Sequence, residues 1–310
     1  MNKLFYFKDL DDHYVINIAG IHLSIKHKMK FKYKEAVSWG LNEDKRTPQL
    51  LVSLTTHPAR INYVHYTINT LLTQKLKADK IILWLAYQQF PNLEKDLPDT
   101  LLKLKDLGLT IDWCEDLKSY KKLIPTLRKY PDDIIVTTDD DVYYEPDLLE
   151  HLYNAYLKDK TNIYARRSVK LELINNEVCG IPSRKYGYKS DLHPAYFNQQ
   201  IGMYGCLYPP HSLYKDITNT EQILKTLPTH DDAYFWCMAV LNKTKIQVID
   251  GFNSNAHLVA NTQEYALKNI NKKNNTGIAL EDAYKVMIKE YPEILKILKG
   301  ECETEREVLL

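Results

Sequence analysis

The stretch DIIVTTDDD, residues 133–141, decides the reading of this chain. Residues 134–138 are apolar or β-branched, a run too short for a helix and the right length for a buried strand. Three consecutive carboxylates, Asp139, Asp140 and Asp141, follow it directly. Adjacent carboxylates repel, so placing them at a strand's exit is costly unless a cation or hydrogen-bond donors compensate. In an extended segment Asp139 and Asp141 point one way and Asp140 the other, and such an i, i+2 pair converges on one hard divalent ion. Mg²⁺ or Mn²⁺ held in this way keeps open positions for phosphate oxygens. A solvated acidic turn ahead of Pro146 is the alternative; the buried run before the triplet and the helix after it favour the metal.

Upstream of this stretch the pattern alternates regularly. LLVSL (50–54), KIILWLA (80–86) and LTIDWCE (109–115) read as buried strands. Between them, RINYVHYTINTLLTQ (60–74) carries helical spacing, a helix runs from Asp99 to Leu107 and stops at Gly108, and SYKKLIPTLRKY (119–130) reads as a helix opened by Ser119 as N-cap. This β-α-β-α-β-α-β order predicts an α/β fold, a mostly parallel sheet with helices on both faces and ligands beyond the carboxyl ends of the strands. Downstream, PDLLEHLYNAYLKD (146–159) predicts a helix with Pro146 in its first turn, and NIYARRSV (162–169) a strand. Residues 180–215 lack periodicity and read as a long functional loop or lid. An amphipathic helix (231–243), a strand KIQVID (245–250) and a C-terminal helix from about Ala279 to Leu298 complete the expectation. The implied division is a β-rich extension over 1–46, a main domain over 47–275 and a helical segment over 276–310.

Composition narrows the function. The 310 residues, 45% hydrophobic and 26% charged, suit a folded chain with a sizeable core. Lys plus Arg is 41 and Asp plus Glu is 40, so the net charge of +1 supplies no global field for a nucleic acid. Ten glycines form neither G-x-G-x-x-G nor G-x-x-x-x-G-K-[ST], so a bound nucleotide must be held some other way. Five scattered cysteines without C-x-x-C point to reduced thiols and a cytoplasmic setting. No apolar run approaches the ~20 residues of a membrane span, and the first residues lack a signal peptide's apolar stretch. Lys26, Lys28, Lys30, Lys32 and Lys34 recur with period two, which suits a lysine-guarded strand edge or peripheral contact with an anionic membrane surface.

An apolar strand followed by DDD, after a β-α-β-α-β start without a glycine loop, resembles the D-x-D motif of glycosyltransferases with the GT-A fold. SLTTHPARI (53–61), YKKLIPTLRKYPDDIIVTTDDDVYYEPD (120–147), YGCLYPP (204–210) and HDDAYFWCMAVLNKTKI (230–246) together resemble bacterial glycosyltransferases of surface-polysaccharide gene clusters, related to glycosyltransferase family 2. The resemblance covers residues 48–275. It implies a nucleoside-diphosphate sugar as donor, UDP by family frequency, with Mn²⁺ or Mg²⁺, and a glycan or lipid-linked acceptor of lipopolysaccharide or capsule synthesis.

Within that resemblance Asp139 lies near the donor's ribose or sugar and Asp141 ligates the metal, with the assignment among Asp139, Asp140 and Asp141 open by one place. Thr55, Thr56 and Arg60 follow the first strand, where a Thr pair bonds a uracil edge and Arg60 a phosphate; Thr56 as a helix cap is the plain reading. Asp112, Trp113 and Glu115 end the third strand, where a carboxylate accepts from a base or ribose. Lys121 and Lys122 open a predicted helix, suiting a diphosphate, with solvent exposure as the equal alternative. Asp231 and Asp232 open the helix carrying Phe235 and Trp236; Asp231 as a cap is the bland reading, while the resemblance implies an acidic base here, Asp232 supported by Asp231, and an inverting displacement. Trp236 is a sugar-stacking candidate or core. The resemblance also offers His257 as a third metal ligand or phosphate contact, with an ordinary loop histidine as the alternative; Arg166 and Arg167 follow the strand after the acidic motif, where one is a candidate to neutralise the acidic cluster or bind diphosphate. Tyr204, Gly205, Tyr208, Pro209 and Pro210 would shape the acceptor side. Nucleotidyl transfer conflicts with the absent glycine loop; a non-catalytic glycan-binding or scaffolding subunit is the alternative from another class.

Overall fold

Short apolar runs alternate with helical segments along the chain, and the result is a seven-stranded sheet covered on both faces. A computed structural model describes residues 34–44, 46–181, 192–249, 256–265 and 280–308, together with the strands at 5–10, 13–18 and 21–26; for those three strands and residues 265, 281 and 304–308 only the backbone is described.

The strands β1 (Phe5–Leu10), β2 (His13–Ile18) and β3 (Ile21–Lys26) form an antiparallel meander, the expected β-rich extension. Lys26 closes β3, while residues 27–33 of the lysine ladder lie outside the described residues. Then come β4 (Leu50–Thr55), α1 (Val64–Leu72), β5 (Lys80–Ala86), α2 (Asp99–Leu102), β6 (Leu109–Cys114), α3 (Ile124–Lys129), β7 (Ile134–Thr137), β8 (Val142–Tyr143) and α4 (Leu148–Lys158). The helix expected to end at Gly108 does so, through a 3-10 turn at Lys103–Leu107, with Gly108 at φ +113° where a side chain would also strike Leu41.

The second half is β9 (Ile163–Ala165), β10 (Ser168–Ile174), β11 (Glu177–Gly180), β12 (Asn198–Gln200), β13 (Cys206–Tyr208), α5 (Thr220–Thr226), α6 (Asp231–Leu241), β14 (Ile246–Val248), β15 (His257–Leu258), α7 (Leu280–Glu290) and α8 (Glu293–Val308). The sheet order is β14-β9-β13-β7-β4-β5-β6, and only β13 runs against the others. The α/β class and the mostly parallel sheet are as expected. Residues within β7 alternate between the two cores: Ile134 and Val136 join Leu50, Val52, Ile68 and Leu152 on one face, and Ile135 joins Tyr120, Tyr208 and Phe235 on the other.

Five expectations need correction. Ser119 does not cap a helix: residues Lys118–Lys122 form a 3-10 turn, and α3 starts afresh with Pro125 in its first turn, a position that needs no N–H. Pro146 precedes α4 rather than opening it, and Asp147 stands at the cap position. NIYARRSV divides into β9 and β10, which belong to different sheets. Residues 180–215 are no open lid where described: β13 is a buried strand of the main sheet, too short at three residues to show a period, and 182–191 lie outside the described residues. Pro292 divides the C-terminal helix into α7 and α8. A further difference is α6, expected amphipathic: Ala233 to Val240 are all buried, since α7, α8 and β12 pack around it. No helix among the described residues is long and apolar enough to cross a membrane.

Candidate active site

The chain passes from β4 through β5 to β6 on one side and then returns to lay β7 on the other side of β4. This reversal makes a topological switch point at the carboxyl ends of β4 and β7, the place where open α/β sheets form a ligand-binding crevice. Thr56, His57 and Arg60 follow β4, and Asp139, Asp140 and Asp141 follow β7.

The three aspartates divide into two roles. Asp140 is spent on the fold: Thr56 Oγ1 donates to its Oδ2 at 2.5 Å and Arg60 Nη1 to its Oδ1 at 2.7 Å. Asp141 Oδ2 accepts from Gln263 Nε2 at 2.8 Å and faces Arg60 Nη2 at 3.0 Å. Asp139 Oδ1 accepts from Lys122 Nζ at 2.9 Å. Among the described residues no hydrogen bond reaches Asp139 Oδ2 or Asp141 Oδ1, so the i, i+2 pair keeps one free oxygen each. Burial pushes the Asp141 carboxyl up to about 6, against the pull of Arg60 and with a push from Asp140 and Asp139. Arg60 and Lys122 each engage one oxygen of this pair, and among the described residues the site still holds more carboxylates than cations. It suits Mg²⁺ or Mn²⁺, which bind through one or two carboxylates with phosphate oxygens and waters completing the shell. No group of three or more His, Cys, Asp or Glu side chains gathers to hold a metal among the described residues, so His257 does not complete a ready three-ligand cage with Asp139 and Asp141. Its Nε2 lies 4.0 Å from Glu145 Oε1, on β15 paired with β8.

The backbone around the triplet is fixed from three directions. The Asp139 N–H donates to Tyr144 Oη at 2.8 Å, and that hydroxyl donates to the Met203 carbonyl at 2.9 Å. The Val259 N–H donates to the Asp141 carbonyl at 2.8 Å, and Arg60 Nη2 to the Thr262 carbonyl at 3.1 Å.

The second acidic pair arrives at the same place. Asp231 Oδ2 meets Lys122 Nζ at 2.8 Å, an ion pair lying off the angle of a hydrogen bond. Asp232 Oδ2 accepts the Gly202 N–H at 3.0 Å, and its Oδ1 is buried without a hydrogen-bond partner. Burial raises the Asp232 carboxyl to about 7; Lys122 and the Gly202 N–H pull it down, Asp231 and Asp139 push it up. A carboxyl so tuned can take a proton near neutral pH. Asp231 is not a side-chain cap, since His230 occupies the cap position and neither makes a capping hydrogen bond.

Other expected residues are engaged elsewhere. Thr55 Oγ1 donates to the Trp84 carbonyl at 2.8 Å, and Arg60 and Thr56 bond carboxylates rather than standing free for a nucleotide. Asp112 pairs with Lys129 at 2.7 Å and Glu115 with Arg128 at 2.6 Å, drawn to α3. Lys121 and Lys122 are buried, not solvated, because they end a 3-10 turn beneath the crevice; Lys121 meets Asp116 at 2.9 Å. Arg166 pairs with Glu145 at 2.6 Å, and Arg167 Nη1 donates to Tyr204 Oη at 2.7 Å. Trp236 is core, fully buried with Nε1 donating to the Tyr196 carbonyl. Tyr144, Gly202 and Gln263 were not expected; Tyr144 lies inside the quoted motif, whereas the approaches of Gly202 and Gln263 are long-range and leave no local signal. His57, also within a quoted motif, is held toward its neutral form by burial, against the field of Asp140.

No protein-family model matches the chain, and no curated protein matches it. Similar solved structures include CMP:2-keto-3-deoxy-manno-octonic acid synthetase complexed with CTP (11% identity, 73% of this chain and 99% of that one, TM-score 0.40). They also include residues 1–349 of TarS from S. aureus (15% identity, 77% and 69%, TM-score 0.42) and mannosyltransferase PcManGT from Pyrobaculum calidifontis in complex with GDP-Man and Mn²⁺ (13% identity, 84% and 76%, TM-score 0.46). The architecture stated above rests on the chain's own strand order.

Proposed function

We propose that this chain is a metal-assisted glycosyltransferase, moving a hexosyl group from a nucleoside-diphosphate sugar to an acceptor hydroxyl with inversion. One observation carries the reading: the acidic exit of β7 and the acidic N-terminus of α6, distant in sequence, meet at the switch point of a parallel sheet through one lysine. The two carboxylate groups suit the two charges of a displacement at an anomeric carbon. As the acceptor oxygen bonds to that carbon, the bond to the diphosphate breaks and negative charge grows on the leaving group. Asp139 and Asp141 would hold a dication, which would supply positive charge to stabilise it. Asp232, with an unpartnered buried oxygen and an affinity for protons near neutrality, takes the proton of the acceptor hydroxyl. Asp140 and Arg60 keep the metal-binding pair in place. UDP as the nucleotide and a lipopolysaccharide or capsule acceptor follow from the motif resemblance.

The test is calorimetric titration of UDP, GDP and CMP into the protein with and without Mn²⁺, repeated on Asp141→Ala. Binding of one nucleotide that needs both the metal and Asp141 supports the reading and selects the donor class for hydrolysis and transfer assays. Absence of nucleotide binding under every metal condition overturns it in favour of a non-catalytic glycan-binding subunit.

A further inference from the structure

We propose that Lys122 is a positioning residue that sets the spacing between the acidic exit of β7 and the carboxylates of α6, rather than a contact to the donor's diphosphate. The idea rests on the glycosyl-transfer reading only for the roles of Asp139 and Asp232; the bridge itself needs no substrate. The ammonium lies 2.9 Å from Asp139 Oδ1 and 2.8 Å from Asp231 Oδ2, and its side chain is 6% exposed. Gly202 closes a third side: a Cβ there would stand 2.8 Å from Lys122 Nζ and 2.6 Å from Asp232 Oδ1. An ammonium walled in this way presents no open side to a phosphate. Its charge also acts on three carboxylates, Asp139, Asp231 and Asp232, and their mutual repulsion would drive the two segments apart without it.

Lys122 therefore acts on Asp232 through space as well as through Asp231. Among the described residues, the groups facing Asp232 are Lys122 from the 3-10 turn, Asp139 after β7, Asp231 on its own helix, the Gly202 N–H, and the neutral Cys206, Tyr208 and Tyr120. Lys122 is the cation among them, and it lowers the proton affinity of Asp232.

The experiment is a ¹³C-carboxyl NMR titration of the full chain as Lys122→Met and Lys122→Arg, with circular dichroism as a check of folding, beside calorimetric titration of MnCl₂ followed by UDP. The expected result is an upward move of the Asp232 midpoint in Lys122→Met, its return in Lys122→Arg, and UDP affinity retained in Lys122→Arg. An unmoved midpoint overturns the bridge. So does a loss of UDP affinity of about tenfold or more without a moved midpoint, the size expected for a lost charge-assisted phosphate contact. Where Lys122→Met does not fold, Asp231→Asn reads the bridge from its other end: the protected ¹⁵N resonance of the Lys122 ammonium must shift, and an unchanged resonance overturns the proposal. If the unsubstituted chain binds no nucleotide at all, the glycosyl-transfer reading fails while the NMR result still decides the bridge.

Discussion

Arg60 and Asp140, 80 residues apart in sequence, form a buried ion pair at 2.7 Å that ties the segment after β4 to the segment after β7. With Thr56 on its other oxygen, Asp140 has both oxygens engaged, and the pair holds Asp139 and Asp141 in register. Arg60→Met leaves the Asp140 charge buried without its cation, and such a break costs about 3–5 kcal/mol. Urea denaturation measures it. A loss below about 1 kcal/mol, typical of an exposed pair, would mean that water screens this one.

Gly202 stands where the backbone comes closest to Asp232. Gly202→Ala would force its methyl to within 2.6 Å of Asp232 Oδ1, and overpacking of this kind costs about 1–3 kcal/mol. Transfer should fall on the order of 100-fold, the effect of misplacing a catalytic group by about 1 Å. Nucleotide binding at Asp141 should persist. Gly180→Ala, whose methyl meets Val169 at an ordinary 3.6 Å, is the control and should leave both unchanged.

Much of this was legible in the sequence because it is local. The strands β4, β5, β6 and β7 announce themselves as apolar runs, and the acidic triplet stands out because nothing but its neighbours is needed to recognise its cost. Which aspartate does what was not legible. The free oxygens of Asp139 and Asp141 and the occupied ones of Asp140 depend on Arg60, Thr56, Gln263 and Lys122, contributed by three distant segments. Lys121 and Lys122 look like surface lysines in any window of sequence, and only their partners, Asp116 for Lys121 and Asp139 and Asp231 for Lys122, show why they are buried. β13 escaped notice for a different reason: three residues carry no period, and its partners β7 and β9 supply the pairing.

Beneath the crevice, Thr126 on α3 joins two strands through one hydroxyl. It shares a 2.6 Å hydrogen bond with Ser53 of β4 and accepts from Trp84 Nε1 of β5 at 2.7 Å. Thr126→Val keeps the shape and leaves both partners unpaired in the core, which costs about 1–3 kcal/mol for each stranded group. Thermal denaturation should show the loss, with near-ultraviolet circular dichroism reporting the changed surroundings of Trp84. An unchanged melting temperature would mean that water replaces the hydroxyl.

The raised proton affinity of Asp232 gives the protein two opposite pH responses. As a base it works only when ionised, so the transfer rate should climb with pH through a midpoint at about 7 and level off above it. Stability moves the other way. The folded state holds the Asp232 proton up to about 7, whereas the unfolded chain releases it near the ordinary 3.8, so between those values the folded state binds more protons. Stability from this group is therefore full below about 4 and is lost as pH rises through about 7. Asp232→Asn should abolish transfer and flatten that part of the stability profile, measured by urea denaturation at a series of pH values. A rate limb that survives in Asp232→Asn would assign the proton transfer to another group.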